Sequence, residues 1–416
     1  MKSFFLKDTS LLLVLFMLMA CASEINLQAR TRIILSPTKP ISAQISASDK
    51  GAIYIVQTNI DLKKNTVKMP QGSILQFEGG KLSNGEIVGN NATIEAGRYE
   101  IFDEIELSGT WLLDGVKAEW FGAIPNREDI DCSVSINKAI VNGKHVNASI
   151  LLGSGIYYTK SVIDISDYGT LIGISSTVTR ICFREESGIG VYMHGQCTTI
   201  KNISVQEYKM KQKGICIKLG DKIKRESCTR GYVEDIKTLG GDKGLDLEYQ
   251  WCNKISGVNC RYSNIGLYVY ATTPSIENAV IESNYQCGVY SDGSGIKLYN
   301  AIIEGNMVGC VLNGGENYLN NCYFEGNTAT YVEDKPKKDK NGVDVKGGHL
   351  YVGEKKAVIS LVMIGCVIGD VKKYNNTIRI DNCKGFTAMG CSSLKNAVIT
   401  GNCIVKYVDE HSYTRE

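Results

Sequence analysis

The chain has 416 residues, a formal net charge of +2 and 22% charged residues. That balance lacks the basic footprint a nucleic-acid binder needs and excludes a highly charged disordered chain. Forty-three glycines against six prolines suit short strands joined by tight corners, because glycine supplies the positive φ values that turns demand. The length accommodates two or three compact domains or one extended solenoid, and the pattern contains no long amphipathic helix.

At the amino terminus, Lys2 and Lys7 precede an apolar run over 11–19 that is too short to span a bilayer and has the form of a secretory signal core. It ends in Leu18-Met19-Ala20-Cys21, which resembles the bacterial lipobox. The resemblance implies cleavage after residue 20 and lipidation of Cys21. With Ala22 rather than an aspartate next, it also implies a membrane anchor at the outer membrane or cell surface; the periplasmic side is the alternative. An ordinary signal peptide with an incidental cysteine is the competing reading. Residues 22–48 are polar and irregular and read as a tether.

Over 49–118, apolar runs at 53–56, 67–69, 74–77, 86–88 and 93–94 alternate with turn signals such as Pro70-Gln71-Gly72, Ser83-Asn84-Gly85 and Gly89-Asn90-Asn91. This predicts small leader coils with strands of about three or four residues. Next come Phe121-Gly122-Ala123, the pair Ile136 and Ile140, and the run from Leu151 to Tyr157. Here the chain resembles the pectate-lyase-like right-handed β-helix superfamily, in the branch shared by phage tailspikes and secreted glycanases. That branch opens with an FGA strand, a short helix and a strand closing on a tyrosine. The usual acidic segment is replaced by Asn126-Arg127-Glu128-Asp129-Ile130-Asp131, so the resemblance bears on fold more than on activity. Residues 75–80 and 85–90 are similar to leader coils of surface β-helix proteins from gut Bacteroidetes. The implied fold is all-β: a right-handed single-stranded parallel β-helix over 119–408, with leader coils before it and a polar tail, 409–416, shielding its last edge.

Within 119–408 one motif recurs. Ile281-Glu282-Ser283-Asn284, Ile303-Glu304-Gly305-Asn306 and Phe324-Glu325-Gly326-Asn327 lie 22 and 21 residues apart. A period near twenty without a helical signature predicts stacked β-coils about 4.8 Å apart, with the three glutamates in one column. The same frame stacks Ile276, Leu298 and Leu319; it places Ile255, Cys260 and Arg261 one coil earlier, and Cys366 and Gly369 one coil later. Arg261 starts the column and Gly369 ends it. Fourteen cysteines remain beside Cys21, and an oxidising compartment would favour pairing them. Cys260, Cys322 and Cys366 instead occupy core positions of the repeat, where a thiol packs as a small hydrophobe, so mostly buried thiols are expected. No C-x-x-C pair occurs and only four histidines exist, which gives a zinc site little support. The run Lys335-Pro336-Lys337-Lys338-Asp339-Lys340-Asn341-Gly342 breaks the period and reads as a projecting loop, either a solvated connector or a cationic wall beside the carboxylates.

Glycoside hydrolysis uses two carboxyl groups, about 5–5.5 Å apart for retention and about 6.5–9.5 Å apart for inversion. Glutamates on adjacent coils offer the shorter spacing, and Glu282 with Glu325 about twice it. Stacked like charges raise one another's pKa, which keeps an acid protonated, and Arg261 would hold Glu282 ionised. Glu282, Glu304 and Glu325 are therefore the candidate catalytic residues, with Glu304 as the acid and Arg261 and Asp292 as candidate substrate contacts. The competing reading makes the glutamates turn-bordering surface residues, Asp292 a turn residue, and Asn284, Asn306 and Asn327 an internal amide ladder. The expected partner is a polysaccharide, with no cofactor for a hydrolase. A polysaccharide lyase, with Lys254 or Arg261 as base and calcium at the substrate, and a non-catalytic glycan-binding surface protein are the alternatives. Aromatics flanking the column would favour the enzyme; a flat face with every glutamate paired to Lys or Arg would favour the binder.

Overall fold

The computed structural model describes residues 30–184, 188–327, 347–369, 377–394 and 397–408. Cys21 with its signal, the loop over 335–342 and the tail over 409–416 lie outside them. The chain is mostly β with a single α-helix and forms a β-solenoid of about 16 turns over residues 32–405. In the central coils three strands make one turn, as in Ser275–Glu277, Val280–Glu282 and Cys287–Asp292. All ladders between coils are parallel; in the central coils the first two strands belong to one 18-stranded sheet and the third to a 10-stranded sheet, while the leader coils form a separate 7-stranded sheet.

The register follows the repeat residue by residue. Ile276 pairs with Leu298 and Leu298 with Leu319; Cys260 pairs with Ile281, Ile281 with Ile303, Ile303 with Phe324, and Phe324 with Ile368. These inward residues are fully or almost fully buried and stack like on like, so each coil covers the apolar end of the last. The fourteen cysteines other than Cys21 are unpaired thiols. Only Cys252 is exposed, Cys197 and Cys403 are half-buried, and burial pushes the Cys260 and Cys228 thiols up to about 11.

Three local expectations differ from the structure. Coiling begins inside the segment read as a tether, because Arg32–Ile34 already pairs with the strand Ile53–Val56. The leader coils contain two long strands, Leu82–Glu95 and Phe102–Trp111, rather than short pieces only. Asn84 and Asn91 take positive φ (54° and 50°), so the asparagines that look like breaks bend the ladder without ending it. Finally, the FGA segment is the end of a 3₁₀ turn, Ala118–Phe121, closed by Gly122 at φ 95°. Glu119 pins that turn: its Oε1 accepts bonds from Tyr157 Oη (2.6 Å), Arg98 (2.8 Å) and the Gly153 amide (3.1 Å). The helix Ser133–His145 follows, with Ile136, Ala139 and Ile140 buried against the coils.

Candidate active site

Each glutamate sits at the end of a second-face strand, and the residue after it turns the chain. Ser283, Gly305 and Gly326 have φ of 56°, 60° and 57°. That left-handed residue puts the glutamate outward and the asparagine two positions on inward. Asn284, Asn306 and Asn327 are completely buried. Asn284 Nδ2 donates to Asn306 Oδ1 (2.8 Å) and Asn306 Nδ2 to Asn327 Oδ1 (3.0 Å). Asn327 Nδ2 continues the ladder to Nδ1 of the buried His349 at 3.1 Å. Room for these amides comes from the third-face strands: a Cβ on Gly288 would lie 2.6 Å from Gly309 O and 2.9 Å from Asn306 Nδ2.

Outside the ladder, Arg261 pairs in register with Glu282, Glu282 with Glu304, and Glu304 with Glu325. The carboxylate column is therefore continuous. Arg261 Nε lies 2.6 Å from Glu282 Oε1, with both side chains largely covered (29% and 13% exposed), so this ion pair is stronger than an open surface one. Glu325 accepts a hydrogen bond from Tyr323 Oη at 2.8 Å. Glu304, between them, has no Lys or Arg ion-pair partner among the described residues. Burial, and then the charges of Glu282 and Glu325, push its carboxyl above the usual range, with Arg261 opposing. Beside the column, two residues back on each strand, runs an outward apolar stripe of Val280, Ile302, Tyr323 and Val367. One glutamate is thus salt-bridged, one is held by an aromatic hydroxyl, and the middle one shares a side-chain hydrogen bond with Glu282.

Gly369 lies at the end of the column, its amide bonded to Phe324 O. Asp292 is elsewhere: it closes a third-face strand, pairs in register with Tyr270 and Asn313, and is bridged by Lys356 at 2.8 Å. Residues 328–346 follow directly on Asn327, so the loop weighed as a cationic wall lies outside the described residues. Among the described residues no three His, Cys, Asp or Glu side chains gather as a metal site.

A second acidic group borders an open cleft of about 630 Å³ between the leader coils and the helix, lined by Thr66, Glu86, Glu104, Glu106 and Lys138. Its carboxylates are satisfied: Glu86 takes hydroxyl bonds from Thr66 (2.9 Å) and Ser108 (2.6 Å), Glu104 pairs with Lys138, and Glu106 lies 3.5 Å from His145. The sequence passed over this group because its members lie on separate strands with no common motif.

Fold and site together define a parallel β-helix with an acidic column along one face. Residues 187–357 match the family described as the right-handed β-helix region. No curated protein matches the chain. Among solved structures it is similar to the gp42 tailspike of an Acinetobacter phage, at 12% identity and a TM-score of 0.47 over 72% of this chain and 64% of that one. The tailspike of a second Acinetobacter phage aligns at 10% identity and a TM-score of 0.42, over 69% of this chain and 55% of that one. The Agl-KA catalytic domain aligns at 13% identity and a TM-score of 0.32, over 71% of this chain and 69% of that one. The chain thus spans less than two thirds of either tailspike.

Proposed function

We propose that this β-helix hydrolyses a polysaccharide at the Glu282, Glu304 and Glu325 face. The observation that carries the reading is the register that sets Glu304 between two carboxylates, one of them ion-paired with Arg261, where burial and like charge raise its carboxyl. Glu304 in its protonated form donates to the leaving glycosidic oxygen. Glu282, ion-paired with Arg261, is the partner carboxylate, and Glu325, oriented by Tyr323, is the alternative partner. Strands in register stand about 4.8 Å apart, which favours the retaining route: Glu282 attacks the anomeric carbon as Glu304 protonates the leaving oxygen, and water then releases the sugar with retention. The apolar stripe beside the column offers the carbon-rich face of a pyranose a surface to lie on.

The lipobox-like segment ending at Cys21 supports a lipid anchor that presents the solenoid to glycans at the outer membrane or cell surface, and the reading divides the chain into anchor, leader coils and helix body. The test is a screen of soluble protein lacking residues 1–21 against host and plant polysaccharides, with Glu304→Gln alongside. Release of oligosaccharides by wild type and at least about a hundredfold loss in the variant supports the assignment. Equal activity of the variant removes Glu304 as the acid, and binding without product makes the face a glycan-binding platform.

A further inference from the structure

The third face carries a charge network that no part of the proposed hydrolysis uses. In register along its outer side stand Tyr192, Lys218, Asp246, Tyr268 and Tyr290. An outward residue on a solenoid is ordinarily solvated, yet Asp246 is 0% exposed and Lys218 8%. Lys243, on the strand of Asp246, bonds its Oδ2 at 2.7 Å and lies 3.6 Å from the centre of the Tyr268 ring, which stacks in turn on Tyr290. From the preceding strand Lys218 bridges Asp221 and Glu248, each at 2.8 Å. The groups facing Asp246 are therefore Lys243 and Glu248 on its own segment, Lys218 with Asp221 on one side, and Tyr268 on the other.

Three carboxylates meet two ammoniums. Asp221 and Glu248 are taken up by Lys218, whereas Asp246 Oδ1 has no hydrogen-bond partner among the described residues. A buried carboxylate oxygen without a donor is costly as an anion and much less so as a protonated hydroxyl. Burial raises this carboxyl, with Lys243 and Lys218 opposing and Glu248 adding. Among the described residues the other ammonium that acts on Asp246 is Lys218, and it is committed to a turn. Asp221 holds that turn: its Oδ1 accepts the Lys224 amide (3.0 Å), its backbone exchanges bonds with Glu226, and Glu226 accepts from Tyr192 Oη at 2.6 Å. At its tip Ile223 is 90% exposed.

We propose that Asp246 binds a proton in this network, and that its loss to solvent draws Lys218 off Asp221 and Glu248 and frees the turn over residues 220–227. The third face is then a pH-sensitive switch. The folded state binds this proton more tightly than the unfolded chain, so the closed turn is most stable on the acid side and loosens as pH rises through the raised carboxyl range. Hydrogen exchange of the full-length protein, followed by mass spectrometry across 218–228 and corrected for intrinsic rates, tests this at mildly acidic and mildly alkaline pH. Wild type should lose protection about fivefold or more on the alkaline side, and Asp246→Asn should keep the acid-side protection at both. Equal protection of wild type at both pH values, or an unchanged dependence in Asp246→Asn, overturns the switch. Infrared difference spectra of the wild-type protein give an independent check. A carboxylic-acid stretch should persist where exposed carboxyls are ionised, and its absence overturns the protonation.

Discussion

Glu304→Gln separates a functional carboxylate from a structural one, because the two roles predict opposite signs of stability change. Strands in register stand about 4.8 Å apart, and two like charges at that spacing repel by about 1 kcal/mol in water and about 3–4 kcal/mol at an effective dielectric of about 20. The Glu282 share is offset by Arg261, which lies 2.6 Å from that carboxylate, leaving Glu325 as the uncompensated neighbour. Glutamine keeps the shape and removes the charge, so the variant should be more stable than wild type at neutral pH by about 1–2 kcal/mol. The raised carboxyl sets the pH dependence. The folded state binds the proton more tightly, so wild-type stability falls as pH rises from the unfolded value, about 4.3, through the higher folded one. The advantage of glutamine is absent below that window and complete above it. Urea unfolding of both proteins across the range, followed by tryptophan fluorescence, measures it. A glutamine variant less stable than wild type at neutral pH, or a difference that does not change with pH, refutes the reasoning.

The ladder beneath the column should behave in the opposite way. Asn306→Leu strips buried partners from the Asn284 amide and from Ile281 O and should cost about 3–5 kcal/mol, whereas Asn321→Gly, which keeps the left-handed backbone at φ 51° and loses only the exposed bond to Asn300, should cost under about 1 kcal/mol; urea midpoints compare them. Arg261→Gln removes the cation opposing protonation of Glu304, so the alkaline limb of the kcat/KM profile should move to higher pH. Native protein lacking residues 1–21 should show a single fast-reacting thiol, Cys252, in a colorimetric thiol titration; Cys252→Ser should abolish that phase. If substrate is found, proton NMR of the first product should show retention of the anomeric configuration.

How far the sequence could be read depended on where the coils are equal in length. From Arg261 to Glu325 the frame is legible because coils of 21 and 22 residues repeat the same three-residue corner; after the long insertion the Cys322–Cys366 and Phe324–Ile368 spacing carries the frame on to Gly369. The Asp246 network was not legible. Lys218, Asp221, Lys243 and Asp246 look like solvated charges in the sequence, and they are covered by the turn at 220–227 and by tyrosines on the adjacent strands. The repeated Lys-x-x-Asp spacing, 218 to 221 and 243 to 246, was the available signal. In the leader coils Asn84 and Asn91 misled for a local reason: a positive φ bends a strand at a solenoid corner as readily as it ends one.

The regularity of the repeat is by itself a sufficient reason for three residues to stack, but it does not require them to be glutamates. The corner imposes two demands, a left-handed residue and a buried group that satisfies the ladder. One coil before Glu282 both are met with other residues: Tyr262 takes φ 58°, and the Ser263 amide donates to Asn284 Oδ1 at 3.1 Å. The outward position of that coil is Arg261, one earlier it is Leu239, and after Glu325 comes Gly369. A slot that holds arginine and, one coil earlier, a buried leucine makes no structural demand for a carboxylate. Three consecutive carboxylates there repel one another, and only one is met by a cation among the described residues. The asparagines are explained by the fold they hold together. The glutamates add like charge to that fold without a structural demand for it, which supports placing the proposed hydrolysis at this face.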